Sequence, residues 1–319
     1  CIMQFLGLLI GKVSIAEDIR LSIDGQKPKS WLYFNRDYSY NTTAIDVFNT
    51  PRTYLYVVKD SLQHYYSNWR TFYFDETYFL LRRIYFSVNS KKDIFAEDVF
   101  VQYIRILDGY HTRISGDEET KKKLKDALKA STADIKRLIF NDEGNPLFED
   151  SIKSVLPEWK YNSSHREDIA GWIAAGYLAK TSLSHRLQEL DNQHFQIISK
   201  NAVDIEKAKR NKSLIENKSD AELIQLYFRE LGDTRNYYSH YKLDTSGVLE
   251  IGQIFTSINV LKAIIISIFF EHMGMEKDLV RKILVFDNEL DFQTMCLREE
   301  GDCPFEHPNR LVETEKCKE

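Results

Sequence analysis

Along the chain the spacing of apolar residues changes character near residue 60. Before it, "IRLSI", "SWLYFN" and "TYLYVV" are short, rich in aromatic and β-branched residues, and separated by turn formers such as "DGQKP" and "FNTP". That pattern predicts strands. After it, "YFLLRRIYFSV" and "AEDVFVQYIRILDGYHTRI" repeat apolar positions three and four apart, the period that gives a helix one oily face. In the second, Val99, Tyr103, Ile106 and Tyr110 form the expected stripe. "GDEETKKKLKDALKAS" predicts a charged amphipathic helix. Another is predicted over 181–199, with Leu183, Leu187, Leu190, Phe195 and Ile198 facing inward. "SDAELIQLYFREL" opens with Ser219 and Glu222, an S-x-x-E capping box, and Gly232 is placed to end that helix. An apolar helix over 248–273 and an amphipathic one in "EKDLVRKILVF" complete the set, while "NDEGNPLFED" and "PEWKYNSSH" read as loops.

These elements divide the chain into the end of a β-rich N-terminal domain (1–60), a connecting helical segment (61–95), a helical bundle (96–290) and an irregular tail (291–319). The chain opens on Cys1, straight into "IMQFLGLLI", so the β-rich part is expected to begin upstream. That opening run has no basic leader and is a poor match to a signal peptide. The longest apolar stretch, "INVLKAIIISIFF", covers 258–270 and is interrupted by Lys262, so a buried helix is expected rather than a membrane span.

A hydrophobic share of 43% suits a packed core, and a net charge of −5 excludes a general polycation that coats nucleic acid. Any nucleic-acid site must be a local patch. With only four cysteines, a disulfide scaffold is excluded and a reducing, cytoplasmic setting is expected. Three cysteines crowd the tail, where Cys296, Cys303, His307 and Cys317 supply zinc-type ligands without a tight C-x2-C pair. A structural zinc there is a candidate, with an irregular tail of free thiols the alternative.

Candidate chemistry is densest in "DTRNYYSHY", residues 233–241. An Arg shortly before a His also occurs at Arg105 and His111, but those lie in one periodic helix about 120° apart and point to different faces. Arg235, Asn236 and His240 follow a helix end, with Asp233 or Thr234 available to cap a further turn and "YKLDTSG" closing the segment. "DTRNYYSHY" followed by "KLD" resembles HEPN-domain proteins, whose hallmark is R-N-x3-H flanked by an acid and followed by Tyr. The order of parts is similar to that of the ApeA-type HEPN proteins of bacterial anti-phage defence.

The resemblance implies a metal-independent endoribonuclease needing no cofactor for catalysis, with Arg235, Asn236 and His240 as catalytic residues and Asp233 and Tyr241 as substrate-binding residues. A His titrating near neutrality moves protons, and a guanidinium holds phosphate oxygens. The ribose 2′-OH would attack its own 3′-phosphate, leaving a 2′,3′-cyclic phosphate and a 5′-OH on tRNA or mRNA, while DNA is spared. On a regular helix Arg235 and His240 lie about 140° apart, so a homodimer or higher homo-oligomer about this segment is expected, each protomer lending residues to a shared cleft. Three alternatives stand beside this. Arg235 could pair with Asp233 or Glu230 and His240 cap the helix; or the domain could bind RNA or a partner protein without cutting; or the protein could be a metal-dependent hydrolase, for which no H-E-x-x-H or D-x-D appears. Tyr237, Tyr238 and Tyr241 read first as packing residues with polar tips. "KKKLKDALK" and "KNAVDIEKAKRNK" read first as solvated faces.

Overall fold

The structure is a computed structural model that describes residues 1–11, 19–21, 30–32, 52–53, 55–91, 94–114, 126, 182–209, 215–240, 243–287, 289–300 and 302. It forms two compact units, Cys1–Tyr110 with Leu187–Glu319, and His111–Arg186. Of the second, the described residues are chiefly the end of one helix and the start of another. The core and the motif both belong to the first unit.

The centre of that unit is helix α9 (Ile251–His272), apolar on almost every side and buried from Val260 through Phe270 without a break. By length and composition this helix could cross a membrane, which the shorter 258–270 run did not suggest, yet 78% of its most apolar window is buried inside the fold. That is the setting of a core helix. Burial lowers the pKa of Lys262, mid-helix, and its ion pair with Glu289 opposes that fall.

Around α9 stand α1 (Ile2–Ile10), α3 (Leu62–Phe74), α4 (Glu76–Ser90), α7 (Ile197–Lys207), α8 (Asp220–His240) and α10 (Lys277–Val285). Short α2 (Leu55–Val58) precedes α3, and α11 (Asp291–Thr294) follows α10. Helices α5 (Ala96–Ile114) and α6 (Leu183–Gln193) run across the boundary between the units. Trp69 of α3 is fully buried, its ring edge-on to Phe269 of α9 at 6.1 Å, and its indole N–H donates to the carbonyl of Cys1 at 3.2 Å. Tyr85 of α4 meets Phe269 edge-on at 5.0 Å. The connecting helical segment, 61–95, thus supplies one wall of the core.

The described part of residues 1–60 holds helices α1 and α2 and one two-stranded antiparallel ladder, β1 (Ile19–Leu21) with β2 (Ser30–Leu32), where a β-rich domain was expected. The first two strand predictions fall on this ladder; "TYLYVV" instead turns helical at Leu55–Val58. The backbone just before it is already engaged, since the Arg52 and Thr53 N–H groups donate to the last carbonyls of α1. Tertiary placement overrides a strand propensity worth at most about 1 kcal/mol. Arg52 itself is buried, bonded to Asp287, to the Leu8 carbonyl at 3.1 Å and to Glu289 at 3.4 Å, and so clamps α1 to the segment after α10.

Two other predictions need correction. On α5 the fully buried stripe is Phe100, Ile104 and Leu107, with Tyr103 and Ile106 beside it, while Val99 and Tyr110 are only half-buried. The helix predicted over 181–199 is two helices, broken where Phe195 and Gln196 take positive φ of 67° and 57°. The buried carboxylate of Asp191 explains the break, accepting from the N–H groups of Ile198 at 2.7 Å and Ser199 at 2.9 Å, and so capping α7. The helix predicted over 116–131 and both predicted loops lie outside the described residues, save for Asp126.

Candidate active site on the motif helix

Helix α8 begins at the predicted capping box, where the Ser219 N–H donates to the Glu222 carboxylate at 2.8 Å. It does not end at Gly232. The helix runs on through His240, so the motif lies on its last two turns and not on a separate one. A glycine stops a helix by taking positive φ, and among the described residues the glycines that do so are Gly11, Gly247 and Gly274. Gly232 stays helical at a cost of about 1 kcal/mol, offset by the burial of Leu231 and Thr234 on either side.

Three bonds fix the helix. Tyr227 hydroxyl meets Ser257 of α9 at 2.7 Å. Glu230 takes the ammonium of Lys209 at 2.6 Å on both carboxylate oxygens. Thr234, with no exposed surface, accepts the N–H of Leu249 at 2.8 Å. Glu230 is thus committed to Lys209 and is no partner for Arg235. The same bond takes Lys209 out of the basic stretch 200–212 as a guide for RNA, and Lys207 is engaged with Asp220 at 3.2 Å.

With this face buried, the wheel assigns the rest. Asp233, Asn236 and His240 fall within about 60° of one another on the opposite face, and Arg235 lies on the flank, about 140° from His240. His240 is exposed, whereas Asp233, Arg235 and Asn236 are half-buried. Arg235 donates through Nη1 to Oδ1 of Asn236 at 2.9 Å, so Asn236 orients the guanidinium. The Nε of Arg235 is buried with no partner among the described residues. Arg105, by contrast, is exposed, with Gln102 beside it at 3.4 Å, and His111 is buried.

Tyr237 and Tyr238 meet edge to face at 4.9 Å and are both half-buried, a packed aromatic pair. Burial raises the Tyr238 hydroxyl pKa, and the carboxylate of Glu97 in the first turn of α5 adds to the rise. Asp233 sits against the α8–α9 connection: a Cβ on Gly247 would come within 2.9 Å of its Oδ2. Its carboxylate therefore serves local structure at least as much as any ligand. Tyr241 lies outside the described residues. Of the proposed zinc ligands, Cys303, His307 and Cys317 also lie outside them, and Cys296 is an exposed thiol that accepts from the Asn201 side chain at 3.7 Å. Among the described residues no three His, Cys, Asp or Glu side chains cluster to hold a metal ion.

A sequence profile for Apea-like HEPN domains matches residues 101–279, more than half of the chain. The chain belongs to this family. No curated protein and no solved structure matches it. The matched span takes in all of α6 to α9 with most of α5, and the Arg235–His240 motif of this HEPN domain falls well inside it. Three elements of the HEPN site escaped sequence reasoning: the Lys209–Glu230 tie, the Thr234 anchor and the close approach at Gly247. Only the last leaves a local trace, a glycine closing "DTSG".

Proposed function

We propose that this protein is a metal-independent endoribonuclease acting in bacterial anti-phage defence by abortive infection, with tRNA or mRNA as substrate. HEPN domains are generally ribonucleases. The observation that carries the reading is the state of Arg235: one nitrogen is held by Asn236, another is buried without a partner among the described residues, and His240 stands exposed at the end of the same helix. A guanidinium oriented through Nη1 by Asn236, on the same helix as an exposed His240, suits recognition of a phosphate, which it binds through paired N–H groups. His240 then moves the protons of 2′-OH attack and 5′-OH departure, giving a 2′,3′-cyclic phosphate.

Because α8 is straight to His240, one copy does not close both side chains on one phosphate. The active unit is a homodimer in which Arg235 of one protomer faces His240 of the other. Exposed apolar side chains that follow the motif in sequence, Leu243 and the α9 pair Ile251 and Phe255, suit such a contact. The test is to incubate the full chain with total tRNA and mRNA, with and without EDTA, beside Arg235→Ala and His240→Ala. Fragments ending in cyclic phosphate, insensitive to EDTA and absent with both variants, are expected. Intact RNA with the wild type under activating conditions, or cleavage that survives His240→Ala, overturns the reading.

A further inference from the structure

Thr234 is the last residue of α8 bonded to another element before the motif begins; beyond it, Arg235 bonds to its own neighbour Asn236. The bond that Thr234 makes is shielded, since Thr234 has no exposed surface and Leu249 only 3%. A buried backbone N–H requires an acceptor, and here the Thr234 hydroxyl is that acceptor. Within the same connection the carboxylate of Asp244 receives the N–H and the hydroxyl of Ser246 at 2.9 and 2.8 Å, turning the chain toward Gly247. Gly247 then adopts φ of 73° and lies so close to Asp233 that no Cβ fits without displacing the carboxylate. The connection is thus seated on α8 at two consecutive residues, Asp233 and Thr234, immediately ahead of Arg235.

We propose that Thr234 and Gly247 are positioning residues for the Arg235–Asn236–His240 motif: Thr234 ties the α8–α9 connection to the helix one residue before Arg235, and Gly247 lets that connection close over Asp233. Loss of either seat removes one of the two ties that hold the connection against α8 just ahead of Arg235. The kinetic consequence rests on the ribonuclease reading; the structural consequence does not. Misplacement of catalytic groups by about 1 Å costs on the order of a hundredfold in rate. Substrate affinity, spread over many contacts, changes little.

The test pairs two readouts on the full chain. Thr234→Val removes the acceptor at nearly constant volume, Thr234→Ser restores it, and Gly247→Ala strains the other seat. Expected for Val and Ala are a tenfold or greater fall in kcat with KM for RNA unchanged. Amide exchange is expected to quicken over 235–240 but not over 220–230, with Ser close to wild type in both readouts. Wild-type kcat and wild-type exchange over 235–240 in a folded Thr234→Val, or exchange raised equally along the whole helix, overturns the proposal. If the wild type cuts no RNA yet Val loosens 235–240 and Ser restores it, the ribonuclease reading fails and the positioning role stands. If the wild type cuts and Val matches it in both readouts, the positioning role alone fails.

Discussion

Two carboxylates and one ammonium share a dry site beneath the motif helix, and their titration is measurable. Lys209 Nζ lies 2.6 Å from Glu206 and 2.6 Å from both oxygens of Glu230, and all three side chains are buried. One cation cannot neutralise two carboxylates, and Glu206 Oε1 has no partner among the described residues. Burial is the main reason that the Glu230 carboxyl is pushed up to about 7 from 4.5. A carboxyl whose folded pKa is raised holds its proton more tightly in the native state, so its stabilising contribution is complete below pH 4.5 and is lost as pH rises to 7. At about 1.4 kcal/mol per pH unit the loss is about 3 kcal/mol. His272 runs the other way: burial lowers its imidazole from 6.5 to about 4, so its contribution is complete above 6.5 and is lost as pH falls toward 4. The two slopes therefore oppose each other between pH 4.5 and 7. Glu230→Gln keeps a bond to Lys209, removes the excess charge and unmasks the His272 slope. Urea unfolding at pH 5, 6, 7 and 8 should show Glu230→Gln gaining on the wild type by about 3 kcal/mol from the acid end to the alkaline end. A constant difference across that range refutes the reasoning, because it would mean that Glu230 is already ionised at pH 5.

Two further predictions concern the frame around the site. Asp191→Ala removes the acceptor for two α7 amides and the Ser199 hydroxyl, and should cost about 2 kcal/mol in urea unfolding, with Asp191→Asn recovering part. Arg52→Met strips Asp287 of its buried partner and should cost about 3 kcal/mol or more; adding Asp287→Asn should recover much of that in a double-mutant cycle.

What could be read from the sequence was local. The capping box at Ser219, the period of α4 and α10, and the motif itself all rest on residues within one or two turns of each other, and each falls on a helix. Errors arose where partners were distant. Gly232 looks like a helix end because a glycine follows a periodic run, but contacts from other elements keep it helical. The break at Phe195 and Gln196 shows no Gly or Pro, and the apolar period persists across it because α6 and α7 each bury one face. Nothing near Glu230 announces Lys209, which lies 21 residues away in sequence. In the candidate site, the contacts of Asp233 and Asn236 were not legible in the sequence. Asp233 packs on Gly247 and Asn236 holds Arg235, and both facts depend on side-chain geometry.

The continuity of α8 bears on control as well as chemistry. Had Gly232 ended the helix, a short flexible turn could have swung Arg235 and His240 together within one copy. A single helix to His240, tied at Tyr227, Glu230 and Thr234, removes that freedom. On the proposed reading, a folded monomer is then inert because its two catalytic side chains look in different directions. Restraint of a toxic nuclease would need no inhibitor bound over His240, which is exposed. Whatever brings two copies of the motif face together would itself be the activating event, and cleavage would rise with the concentration of paired chains rather than of total protein.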